Sequence, residues 1–270
     1  MAHYYDTDGN PRYTYLNDKG DELATDLRRA RKENLLPSHS EIEKVVSDTT
    51  GLNLWILGQH LEWCYLNPRE EGESMDDYFI RAKAGGDTVG REARDFGSLV
   101  HDEMEKWVHD NTYAINPDVL PFVEPHMQWF RENITQIIYT EKGMGCVELG
   151  VGGRIDLCAM HREHGRIILD FKTQNIKPNA SGKKYPNYYP SWCRQLALYA
   201  ELDKRREGLS VAPRIISLAI DSSEPGPLYM KVWTRDEQQW GLESELANIV
   251  AWQRQKKYKP NGCNLEIVGM

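Results

Sequence analysis

Apolar residues recur along this chain at two different periods. From Arg91 to Asp110, Phe96, Leu99, Val100, Met104, Trp107 and Val108 return every three or four residues, the spacing of one amphipathic helix face. Pro117 to Asn133 reads as a second helix, with proline near its start, where helices tolerate it. The period then shortens. Thr135 to Glu141, Cys146 to Val151, Arg154 to Met160 and Arg166 to Phe171 are short β-branched or apolar runs separated by glycine-containing turns, which predicts four consecutive strands of a meander. A polar loop, Thr173 to Pro190, leads into a helix over Ser191 to Arg206, strands at Arg214 to Ile220 and Leu228 to Trp233, and a last helix from Arg235 to Gln255. The first ninety residues read as helical and irregular, with a charged segment Asp21 to Lys32, an apolar segment Ser40 to Tyr65 and a polar stretch to Gly90; no strand ladder is expected there. The order of elements predicts an α/β or α+β fold, a central mixed sheet with flanking helices. The core is expected over residues 91–270, with a helical N-terminal region over residues 1–90 that either packs on the core or stands off it as an arch.

Composition narrows this picture. With 270 residues and 40% hydrophobic content the chain can bury a substantial core. No stretch approaches the roughly 18 uninterrupted apolar residues of a membrane span, and the polar start MAHYYDTDGNPRYTY lacks a signal-peptide core, so a cytoplasmic or otherwise intracellular protein with no membrane partner is expected. The five cysteines are dispersed and contain no CxxC pair, so neither a disulfide framework nor a zinc ribbon is suggested. A net charge of -8 argues against a surface coated in positive potential and confines nucleic-acid contact to local basic patches.

The candidate chemistry lies in two of the predicted strands. Asp156 sits in Gly153-Arg154-Ile155-Asp156-Leu157, and Asp170 and Lys172 sit in Ile168-Leu169-Asp170-Phe171-Lys172. Period two places Asp170 and Lys172 on one face and turns Phe171 to the other, towards the core. An Asp and a Lys two apart at a strand end are also a common exposed ion pair, worth about 0 to 1 kcal/mol. Here, however, each acid ends an apolar run, and acids at buried strand ends need a partner, for which a cation is suited. Two carboxylates, Mg²⁺ and an ammonium match the needs of phosphodiester hydrolysis, charge neutralisation and an activated water.

In its order of motifs the chain resembles the PD-(D/E)XK nuclease superfamily, in particular its RecB-like exonuclease branch. GRID and LDFKT are similar to that branch's GxxD and (D/E)XK motifs; Gly97, His101 and Glu105 resemble its helical G-x-x-x-H-x-x-x-E motif, and Gln195 and Tyr199 its QxxxY motif. The resemblance covers about Gly97 to Tyr199. It implies a restriction-endonuclease-like core with Asp156, Asp170, Lys172, Gln195 and Tyr199 as catalytic residues. It also implies one or two Mg²⁺ or Mn²⁺ ions held by His101, Asp156, Asp170 and the backbone carbonyl of Phe171. Glu105 and Glu141 are candidate supporting acids; on spacing alone Glu105 is equally a solvated charge. The branch includes enzymes with an iron-sulfur cluster, but suitably grouped cysteines are missing and no cluster is expected.

For substrate, the loop KPNASGKKYPNYY interleaves lysines with tyrosines, suited to phosphates and unpaired bases; Lys183, Lys184, Tyr185 and Tyr188 are the candidate nucleic-acid contacts, although a solvated loop would read the same. Leu36-Pro37-Ser38-His39-Ser40 loosely resembles the start of phage and mitochondrial genome-maintenance exonucleases. The resulting expectation is a metal-dependent exonuclease acting on DNA ends or single strands, with recombination or replication proteins as conceivable partners. A structure-specific endonuclease and a non-catalytic nucleic-acid-binding protein that keeps the fold are the alternatives.

Overall fold

The computed structural model describes residues 3–266, and its N-terminal part departs from the expected helical reading. Strand β1 (Tyr4–Tyr5) pairs with β4 (Leu36–Pro37), and β2 (Thr14–Leu16) forms a hairpin with β3 (Glu22–Ala24). These strands are two or three residues long, too short to display alternation, and they are defined by their partners rather than by their own pattern. Between them lies α1 (Leu27–Glu33), capped by Asp26; α2 (His39–Val46), capped by Ser38, follows. The apolar segment Ser40 to Tyr65 is therefore two helices, α2 and α3 (Thr50–Leu66), broken at Ser47 to Thr49. The polar stretch after it contains α4 (Met75–Gly86), and α5 (Thr88–His109) starts earlier than expected.

After α6 (Leu120–Asn133) comes a five-stranded mixed sheet: β5 (Ile134–Cys146), β6 (Val151–His161), β7 (Gly165–Gln174), β8 (Arg214–Asp221) and β9 (Tyr229–Val232), in that spatial order. The four-strand meander is thus three strands. Residues expected as a separate strand at Cys146 to Val151 are mostly the turn between β5 and β6, where Gly150 takes a φ of +69° and its N–H bonds back to Cys146 and Val147. β7 and β8 are parallel, and α7 (Pro190–Glu207) makes the crossover between them; the other neighbours are antiparallel. The last helix, α8 (Arg235–Lys256), begins with a Thr234/Glu237 capping box.

The sheet divides two cores. On one face Ile155, Cys158 and Ile168 pack with Leu196, Ala200 and Trp252 of α7 and α8, joined by Tyr4, Leu35 and Ile42 from the N-terminal segment. On the other, Leu157, Ile167, Leu169 and Phe171 pack with Val100, Met104 and Trp107 of α5 and Val123 and Phe130 of α6. The mixed α/β architecture with helices on both faces is the expected fold class. Among the described residues no helix is long and apolar enough to cross a membrane.

Candidate active site

Three acids occupy equivalent places on three neighbouring strands. Leu157 pairs with Leu169, so the next residues along, Asp156 and Asp170, face each other across β6 and β7, close enough for each carboxyl group to perturb the other. On the other side Thr140 pairs with Leu157 and Lys142 with Ile155, which sets Glu141 opposite Asp156. Glu141 does not end the first strand, as its position in the sequence suggests; it lies within β5 at a φ of +45°, a left-handed residue that interrupts the ladder.

The alternation read from the sequence holds on β7. Lys172 Nζ lies 2.6 Å from Asp170 Oδ2, while Phe171 points into the opposite core, stacked on Phe130 at 5.9 Å. Lys172 Nζ also donates to Gln195 Oε1 at 3.0 Å, and Gln195 Nε2 donates to the Tyr199 hydroxyl at 3.4 Å. Gln195 and Tyr199, one turn apart on α7, therefore form a chain ending on the lysine. Gly153 makes room for it: a Cβ there would collide with the Tyr199 ring.

His101 approaches from α5 on the other side of β7. Its Nδ1 is 3.8 Å from Asp156 Oδ2, and its imidazole makes a polar contact with the Phe171 backbone. Gly97, one turn earlier, permits this approach, since a Cβ there would stand 2.8 Å from Thr173 Oγ1. Glu105, a further turn on, reaches His109 at 3.8 Å rather than His101 and lines the same cleft.

Electrostatics follow from crowding. Burial, then the neighbouring Asp170, push the Asp156 carboxyl well above the usual carboxylate range. Burial acts the same way on Asp170, but the Lys172 ammonium counters it and this group is held low. For Lys172, burial favours the neutral amine, yet Asp170 and Asp156 prevail and keep it an ammonium. Burial lowers the His101 pKa, so its ring is neutral and able to donate a lone pair. Glu141 is raised by burial despite Arg154 Nε at 2.7 Å.

Glu141, Asp156, Lys172 and His101 line a cleft of about 620 Å³, walled also by Arg94, Ser98 and Asp102 of α5 and by Arg154, while Asp170 is buried beneath Lys172. Nothing in the sequence pattern singles out Arg94 or Asp102. For Arg154 a signal was present, since period two puts it beside Asp156. His101, Asp156 and Asp170 do not close into a compact three-ligand group. Among the described residues, three ligating atoms lie within 4.8 Å of one another at His39, Glu43 and Glu245, where Arg194 already engages Glu43 at 2.7 Å and His39 donates to or accepts from Glu245 at 2.8 Å.

The tyrosine-lysine loop is divided in the fold. Lys184 is held by Asp221 at 2.5 Å and Glu224 at 2.7 Å, and Tyr188 packs between Trp192 and Trp233. Both side chains thus have partners within the protein that hold the loop in place. Lys183 and Tyr185 are exposed.

No family model matches the chain, and no curated protein matches it. Among solved structures, a candidate exonuclease from Eubacterium rectale is similar at 14% identity and a TM-score of 0.39, covering 87% of this chain and 87% of that one. The protein SSO0001 is similar at 16% identity and a TM-score of 0.29, over 77% of this chain and 86% of that one. The functional reading rests on the side chains of the cleft.

Proposed function

We propose that this cleft hydrolyses phosphodiester bonds, making the protein a divalent-cation-dependent deoxyribonuclease that acts on DNA ends or single strands. The observation that supports this best is the row Glu141, Asp156 and Asp170 on adjacent strands, with Lys172 2.6 Å from Asp170 and open to the cleft.

The donor set suits a divalent cation. Asp156 and Asp170 supply oxygen, the Phe171 carbonyl is a further oxygen donor on the same strand as Asp170, and neutral His101 adds a nitrogen compatible with Mn²⁺ as well as Mg²⁺. Burial first, and then the neighbouring Asp170, raise the Asp156 pKa beyond what Lys172 offsets, and a bound cation would favour its ionised form. When bound, such a cation neutralises phosphate charge and acidifies a water. Lys172, kept protonated by the two aspartates, faces the negative charge that develops on the phosphoryl oxygens and contributes a proton-bearing group there. Gln195 fixes the ammonium through the 3.0 Å bond, and Tyr199 fixes Gln195. Arg94 and Arg154 on the cleft walls suit the phosphates flanking the scissile one.

The preference for ends rests on the short resemblance around Leu36 to Ser40. The experiment is degradation of end-labelled single- and double-stranded DNA with Mg²⁺ or Mn²⁺, alongside covalently closed circles, for the native protein and for Asp170→Asn and Lys172→Met. Loss of cleavage in both variants supports the site; cutting of closed circles replaces the exonuclease by an endonuclease; unchanged cleavage by both variants removes the site altogether.

A further inference from the structure

Helices α3 and α4 form an arm whose surface does not match that of a free-standing element. α3 reads TGLNLWILGQHLEWCYL, with one acid and no lysine or arginine, and none of its residues is buried. A helix apolar on every side belongs in a core or an interface. Here Leu54, Leu57, Leu61, Leu66, Phe79 and Ile80 are exposed, Phe79 and Ile80 to 71%.

The arm is attached along one edge. Trp63 and His60 press on Gly85 and Gly86 at the end of α4, His60 Nε2 lies 3.4 Å from Asp87, and the Arg81 guanidinium lies over the Trp63 ring at 5.4 Å. Those contacts join α3 to α4 and leave the outer apolar surface uncovered.

Its size and charge select the partner. At half to two-thirds exposure these large side chains, with Leu52, Trp55 and Met75, present on the order of 800 Å², what each side of a standard protein interface supplies and more than the roughly 300–600 Å² patch of an ordinary monomer. Residues 50–86 carry six acids and three bases, which repels a phosphate backbone and an anionic bilayer. A second copy brings the same uncovered apolar surface, and two such arms packed through a two-fold axis cover each other as a four-helix bundle.

We infer that the chain is a homodimer joined through its α3–α4 arms. This stands independently of the chemistry assigned to the cleft. The test is the mass of the full chain in solution by light scattering on a sizing column. The expected mass is twice 31.2 kDa for the native chain. Leu57→Glu with Leu61→Glu, and separately Phe79→Glu with Ile80→Glu, are expected to yield monomers with an unchanged far-ultraviolet circular dichroism spectrum. Val211→Glu, at an exposed apolar residue elsewhere, leaves the dimer intact. A monomeric native chain overturns the inference, as does a dimer that survives both folded arm variants. A native monomer that binds phosphatidylcholine vesicles or a single-stranded oligonucleotide through the arm also overturns it and assigns the surface to that partner.

Discussion

Asp156 and Asp170 sit opposite each other on β6 and β7, and the ammonium beside them, Lys172, lies 2.6 Å from Asp170. A buried and a half-buried acid with one ammonium beside them make a site poised to take up further positive charge. The roles of the surrounding residues follow from that imbalance.

Lys172 is expected to matter for turnover more than for folding. Lys172→Met keeps the apolar stem and removes the charge, and should lower kcat by about 10²–10³-fold, the usual cost of losing one electrostatic donor in a reaction site. Gln195→Leu, which frees the ammonium from its 3.0 Å bond, should lower it by a smaller factor. Single-turnover cleavage of end-labelled DNA measures both, and equal rates for Lys172→Met and native protein would remove the lysine from the mechanism.

Gly153→Ala tests the packing that carries Tyr199 and Gln195. Its added methyl would meet the Tyr199 ring, an overpacking expected to cost about 1–3 kcal/mol and to displace the chain leading to Lys172. Urea unfolding should give a lower midpoint together with reduced activity. A variant as stable and active as the native protein would show that the close approach is not required.

His126, buried behind Phe171, should make the protein acid-sensitive. Burial holds its pKa down to about 4, against 6.5 for the unfolded chain. Above pH 6.5 the ring is neutral in both states and contributes nothing. Below it the unfolded chain takes up a proton that the folded one refuses, so stability falls as pH falls from 6.5 towards 4, by at most about 3 kcal/mol. Denaturant unfolding at pH 7 and pH 5 should show a smaller loss for His126→Leu than for the native chain; parallel losses would exclude His126 as the source.

Within the polar loop, Tyr185 and Tyr188 should separate. Tyr185 is exposed, and Tyr185→Ala should weaken single-strand binding by about 1–3 kcal/mol if a base stacks there. Tyr188 packs between Trp192 and Trp233, so Tyr188→Ala should lower the melting temperature instead. Fluorescence anisotropy with a labelled oligonucleotide and thermal melts on both variants make the comparison; equal affinity losses at the two positions would show that the loop opens on binding.

The centre of the site is legible in the sequence because it obeys simple periods. Alternation places Asp170 and Lys172 together and sends Phe171 to the core, and a four-residue spacing aligns Gln195 with Tyr199. What depends on how strands pair is not legible. Glu141 reaches the acid row only through the register of β5 against β6 and a left-handed backbone within the strand. Arg94 and Asp102 join the cleft because Gly97 lets α5 lie close to Thr173. That Lys184 pairs with Asp221 and Glu224 likewise depends on the fold and is not visible in the loop's own sequence. The same limit explains β1 to β4, whose partners lie far along the chain or across a tight hairpin.

The central claim is that Asp156, Asp170 and His101 hold a divalent cation beside Lys172. Anomalous diffraction from a crystal soaked in Mn²⁺ tests it most directly. The account predicts a peak between the Asp156 and Asp170 carboxylates, within coordinating distance of His101 and absent in Asp156→Asn. A peak at His39, Glu43 and Glu245 with none in the cleft would contradict it.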